Sequence, residues 1–284
     1  MIFDALLDTI LDGIKILPFL FVTYLAMEFL EHKASGKTIE LVRKSGKWGP
    51  LFGGVLGVIP QCGFSAAGSN LYAGRIITMG TLISIYLSTS DEMLPIMIAN
   101  KAPITLVMSV LGLKALIGVI VGFIIDLLFR KKHIDQTSEM AVSHICDHEH
   151  CHCEEGNILK SSISHSLQIF AFIIIISFAL NLLIGYIGED KLSLLVSRSG
   201  VLSIFLSAIV GLIPNCAASV VITELYLEGI LSFGAMISGL LVGAGVGLLV
   251  LFRSNEKLLD SLKVTGILYI SGVLIGLILL LFGL

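Results

Sequence analysis

The sequence predicts an all-α polytopic membrane protein made of two inverted structural repeats, each combining transmembrane helices with a broken or re-entrant Pro-Cys hairpin. Three observations predict it. Of 284 residues 56% are hydrophobic and 14% charged, with a mean hydropathy of +0.98, too little charge to coat a core that faces water. The stretch GVIPQCGFS at 57–65 returns as GLIPNCAAS at 211–219, an offset of 154 residues (57 to 211). Both copies put a proline inside an apolar run, where it interrupts helical hydrogen bonding.

The spans come first. Ile14 to Leu30, Leu106 to Phe129, Ile163 to Ile184 and Val264 to Phe282 are each long enough, as helices, to cross a hydrocarbon core of about 30 Å. Asp4, Asp8 and Asp12 stand where a cleavable signal would carry basic residues, so insertion relies on the spans themselves. At the constant offset, Ser45-Gly46 fall on Ser199-Gly200, Leu71-Tyr72 on Leu225-Tyr226, Gly80 on Gly234 and Ile83-Ser84 on Ile237-Ser238. Gly112, Gly118 and Gly122 fall on Gly266, Gly272 and Gly276, with no gap. The chain therefore divides into a first transmembrane repeat (1–130), a linker (131–163) and a second repeat (164–284).

The broken segments follow. Arms of half a membrane's thickness, 49–59 and 64–74, flank Pro60-Gln61-Cys62-Gly63, and Pro214 occupies the matching place in the second copy. If these segments dip in and return, nearly all loop lysines and arginines lie on the cytoplasmic side, leaving only Lys101, Lys191 and Arg198 outside; full spans would distribute them more evenly. The hairpin arrangement gives each repeat an odd number of crossings and so inverts one against the other, as in secondary transporters. A second interruption, Ser88 to Pro95, is expected near the far end of the next span.

Breaks of this kind free backbone groups that are tolerated at membrane depth where they line a cavity. Cys62 and Cys216, with Gln61, Asn215, Ser65 and Ser219 beside them, are accordingly candidate substrate ligands: thiolate suits soft metals and metalloids, amide and hydroxyl oxygens harder ions. Asp91 and Glu92 are carboxylates inside an apolar segment and candidate cation ligands or proton acceptors. Asn70 and Glu224 occupy equivalent places in the second arms and are further candidates. Pro60, Gly63 and Pro214 make the breaks. Lys114, between Gly112 and Gly118, is placed to pair with a carboxylate rather than to snorkel, and Asp126 sits near a span end. The Gly118-x-x-x-Gly122 and Gly272-x-x-x-Gly276 steps allow close helix contact, within one chain or between two copies as a homodimer.

The linker carries His144, Cys146, His148, His150, Cys151, His152 and Cys153 in ten residues, interleaved with carboxylates. Their spacing is not that of a structural zinc finger, so a flexible metal-collecting tract is expected, on the cytoplasmic side where cysteines stay reduced. No cofactor is required; a metal ion enters as substrate or as the linker's ligand.

The paired GVIPQC and GLIPNC motifs, the gapless repeat and the His/Cys-rich linker resemble the ten-span heavy-metal exporter family, whose members carry the names arsenic efflux protein and manganese transporter. The resemblance implies export of a metal or metalloid across a cell (inner or plasma) membrane. Three readings stay open: a secondary transporter exporting an arsenite-like metalloid or soft metal, a divalent cation (manganese) exporter, and a membrane metal sensor that transports nothing. The net charge of −3 argues for no nucleic-acid partner, and the absence of a complete G-x-x-x-x-G-K-S/T phosphate loop after a strand argues against ATP-driven pumping and enzymatic chemistry.

Overall fold

The structure, a computed structural model, describes residues 46–58, 62–90, 93–134, 200–255 and 257–283, together with single helical positions within 14–25 and 163–179. The expected spans Ile14 to Leu30 and Ile163 to Ile184 lie mostly outside the described residues, as does the His/Cys-rich tract. Among the described residues there are helices and no strand.

In the first copy, α1 (Gly49–Leu56) starts with Pro50 in its first turn, where the missing N–H has no helical acceptor to lose. Next come α2 (Cys62–Ala73), α3 (Met79–Ser88), α4 (Met93–Ala99) and α5 (Ile104–Ile134). The second copy repeats the series as α6 (Val201–Gly211), α7 (Cys216–Leu227), α8 (Phe233–Val242), α9 (Val246–Ser254) and α10 (Leu258–Leu281). Shifted by 154, α2 falls on α7 and α3 on α8 residue for residue, and α5 and α10 begin at equivalent positions.

Local devices repeat as well. After α2 the chain turns through Arg75, whose φ of 57° is matched by Gly229 at 75°, and Ile76 N donates to Leu71 O (2.9 Å) as Ile230 N does to Leu225 O (3.0 Å). This is the left-handed closure that satisfies the last carbonyls of a helix. Thr78 then accepts from Thr81 N at the start of α3, and Ser232 from Ala235 N at the start of α8.

Packing follows the same register. Within each copy three helices pack on one another: α1, α3 and α5 in the first, α6, α8 and α10 in the second. A Cβ added to Gly118 or Gly122 would come within 2.8 Å of Ser84 O or 2.6 Å of Gly80 O. One added to Gly272 or Gly276 would lie 2.9 Å from Ser238 O or Gly234 O. The glycine steps therefore serve contacts inside one chain. Ser84 Oγ donates to Pro50 O (2.6 Å), and Ser238 Oγ to Ile204 O (3.2 Å). Between the copies, α2 lies along α9 and α7 against α4.

Among the described residues four segments are long and apolar enough to cross a membrane: Met79–Ala99, Ile104–Phe129, Phe233–Ser254 and Leu258–Leu281. The two broken spans are 69% and 83% buried, whereas α5 and α10 are 28% buried and carry exposed apolar side chains such as Leu116, Ile120, Ile270 and Leu274. In a bilayer these faces meet lipid. The interruption is central rather than near the far end: α3 stops after ten of the 21 residues of its span and α8 after ten of 22. Pro95, the last residue of the expected interruption, lies in the first turn of α4, where its missing N–H costs no helical hydrogen bond.

Candidate functional site

The two central breaks meet. Thr89 and Ser90 follow α3 in non-helical backbone, and 243–245 separate α8 from α9. Around them is a cavity of ≈ 20 Å³, room for about one water or small ion, whose lining includes Thr89, Ser90, Lys114, Asn215, Ser219 and Gly243. Both repeats contribute to it.

Each lining residue is placed by a local cause. Gly245, at φ 52° and ψ −138°, adopts a backbone region natural to glycine and lets α9 restart after the gap. Asn215 has an extended backbone and caps α7, its side-chain oxygen accepting from Ala217 N at 3.1 Å. Ser219 lies one turn further along α7. Lys114 is carried by α5 and is 1% exposed; its Nζ donates to Thr89 O and, at 2.8 Å, to Leu240 O. One ammonium thus ties the C-terminal end of α3 to that of α8.

The expected ligands divide. Asn215 and Ser219 are brought to the cavity with Lys114. Cys62 and Cys216 are the first residues of α2 and α7; their side chains lie outside the described residues, as do Pro60, Gln61, Asp91, Glu92 and the linker residues His144, Cys146, His148, His150, Cys151, His152 and Cys153. Ser65 is buried against α9, where a Cβ on Gly247 would approach its own Cβ to 2.8 Å. Gly63 is buried in the first turn of α2 and Pro214 is half-buried before α7. Asn70 and Glu224, expected to be alike, differ: Asn70 is buried and its Oδ1 accepts from Ser254 Oγ at 2.9 Å, while Glu224 is exposed. The neighbouring helices, α9 beside Asn70 and α4 beside Glu224, are equivalent under the offset, but α9 runs closely along α2 whereas α4 touches α7 only lightly. Among the described residues no group of three or more His, Cys, Asp or Glu is placed to hold a metal.

Thr89, Ser90 and Lys114 were not among the expected ligands. A charged residue in the middle of an otherwise lipid-compatible span was the available signal for Lys114. Two of its acceptors are 25 and 126 residues away in sequence and could not have been read from it. Asp126 accepts from Gly80 N (2.9 Å) and Thr78 Oγ1 (2.7 Å), fastening α5 to the positive end of α3.

A family model described as "Putative, 10TM heavy-metal exporter" matches residues 2–190, about two thirds of the chain. No curated protein and no solved structure matches the chain significantly.

Proposed function

The chain belongs to this family of heavy-metal exporters, and from that premise we propose that it is a secondary transporter carrying a thiophilic heavy metal or an arsenite-like metalloid out of the cytoplasm. Its family is one of transporters rather than enzymes, and its apolar helices make it a multi-pass membrane protein. The observation that carries the proposal is the cavity, with hydroxyl, amide and ammonium groups in its lining, in which broken spans from both copies meet. A substrate held there would be approached by one copy from each side.

The order of side-chain contacts supports an inverted arrangement of the copies. Ser69 Oγ lies 2.6 Å from Tyr86 OH across the 74–78 turn, so α2 runs against α3. Ser65 neighbours Gly247, Asn70 meets Ser254 and Tyr72 OH donates to Asp260, so α2 runs along α9. On that ordering the Met79–Ala99 and Phe233–Ser254 spans point in opposite directions, which suits rocking of one copy against the other.

In this reading Cys62 and Cys216 are the soft ligands. Each opens a helix, where unsatisfied N–H groups and the positive end of the dipole favour thiolate. Gln61, Asn215, Ser65 and Ser219 would supply oxygens; Asp91 and Glu92 would take the coupling proton or a harder ion; the His/Cys linker would collect metal on the cytoplasmic side. The test is transport by purified protein in sealed vesicles offered arsenite, antimonite, Zn²⁺ or Mn²⁺ under a proton gradient. Arsenite or soft-metal flux that falls at least about tenfold in the double variant C62S/C216S is expected, equivalent to losing one or more strong ligand interactions. Manganese flux lost in D91N/E92Q but kept in C62S/C216S would replace this reading with divalent cation export. Vesicles that move no ion under any gradient would replace it with metal sensing.

A further inference from the structure

Lys114 stands outside the duplication. At the offset that matches helix to helix, its counterpart is Leu268, an apolar residue with 0% exposure. Two of the groups that Lys114 contacts are themselves products of the breaks. Thr89 is the C-terminal capping residue of α3. Leu240 O would accept from residue 244 if α8 continued, but Ala244 N instead donates to Val242 O at 2.8 Å. Both acceptors are therefore carbonyls at helix C-terminal ends, and each such end is equivalent to roughly half a negative elementary charge. Two of them, turned toward one point in a water-poor interior, together contribute about one negative charge. Backbone carbonyls so arranged are ligands for a small hard cation.

We infer that the crossing of the two broken spans is a monovalent-cation site and that Lys114 is its built-in occupant. The ammonium hydrogen-bonds Thr89 O and Leu240 O in place of a free ion, and it keeps α3 and α8 end to end while the cavity is empty of cargo. Tethering the cation to α5 gives it a high local concentration, so sodium and potassium do not compete for the place. The inference deepens the transport reading, since a cationic cargo entering the cavity must contend with the lysine; the site itself needs no cargo to exist.

The experiment is thermal unfolding of the purified full chain in detergent, for the wild type, Lys114→Arg and Lys114→Met, in NaCl, KCl or choline chloride at equal ionic strength. With the ammonium gone, K114M should be stabilised by Na⁺ or K⁺ over choline, its Tm rising by about 5 °C when the ion is near 100 times its dissociation constant. The wild type and K114R should show the same Tm in all three salts. A Tm of K114M that is equal in the three salts would overturn the inference, as would a wild type that gains as much from Na⁺ or K⁺. If K114M is folded only when extracted in alkali salt, the inference is supported; if it aggregates in every salt while K114R does not, the lysine supplies something a free cation cannot and the inference is wrong. None of these readouts involves flux, so vesicles that transport nothing leave the cation site standing, and a failed cation site leaves the metal panel standing.

Discussion

The two copies keep one scaffold and differ in what they place at its centre. The ends of α2 and α3, the turn between them, the glycine contacts and the Ser84 hydrogen bond have counterparts in the second copy under a single offset. At the breaks the match ends: Ser90-Asp91-Glu92 in the first copy is replaced by Ala244-Gly245-Val246 in the second, and Lys114 by Leu268. A third difference lies at the α2–α10 contact, where Asp260 accepts from Tyr72 OH (2.8 Å) and pairs with Arg75 (3.3 Å). The residue equivalent to Asp260 is Leu106, and Tyr226, equivalent to Tyr72, stacks edge-on against Phe233 instead. Packing positions have been held because they are constrained on every side. Positions in a cavity or at a rim are free to acquire chemistry, and here one copy acquired most of it.

Making the halves alike at the centre should be the most damaging change. Leu268→Lys puts a second ammonium at a fully buried apolar position; a loss of about 3–5 kcal/mol, read as failure to recover folded protein, is expected for a buried charge with no partner provided for it. Recovery of L268K with an unchanged melting temperature would show that both breaks are equally fit for a cation.

Changes to the shared scaffold should instead act equally on both copies. Gly122→Ala and Gly276→Ala each force a methyl to within 3 Å of neighbouring backbone oxygen and should each cost about 1–3 kcal/mol in thermal unfolding. Gly112→Ala and Gly266→Ala meet nothing within 4 Å and should be neutral or slightly stabilising. A large difference between the members of either pair would break the equivalence of the copies.

The smallest effect is expected at the one-sided rim contact. Arg75 and Asp260 are about one fifth exposed, so water weakens the pair. Asp260→Asn keeps an acceptor for Tyr72 and should lower stability by no more than about 1 kcal/mol. A loss of several kcal/mol in D260N would mean that this contact, rather than the α2–α9 packing, holds the copies together.

Much of the scaffold was legible. The proline and glycine positions marked where helices stop, because their effect on hydrogen bonding is local, and the offset tied α2 to α7 and α3 to α8. Pro95 shows the limit of such reading: a proline ends one helix or begins the next, and the sequence around it did not distinguish the two. The site was legible only in part. Asn215 and Ser219 were found from their place beside Cys216, whereas Asn70 and Glu224 looked equivalent and are not, since one helix packs along α9 and the other leaves its glutamate exposed.

Hydropathy, the repeat and the positions of the breaks belong to the sequence alone, since each depends on how a residue treats water, lipid or its own backbone neighbours. That the breaks face one another, that Gly118 and Gly122 lie against α3 of the same chain, and that Lys114 reaches a carbonyl 126 residues away were decided by tertiary structure. The reason is physical: a broken helix exposes carbonyls wherever it breaks, but which cation answers them depends on which helix the rest of the molecule packs alongside.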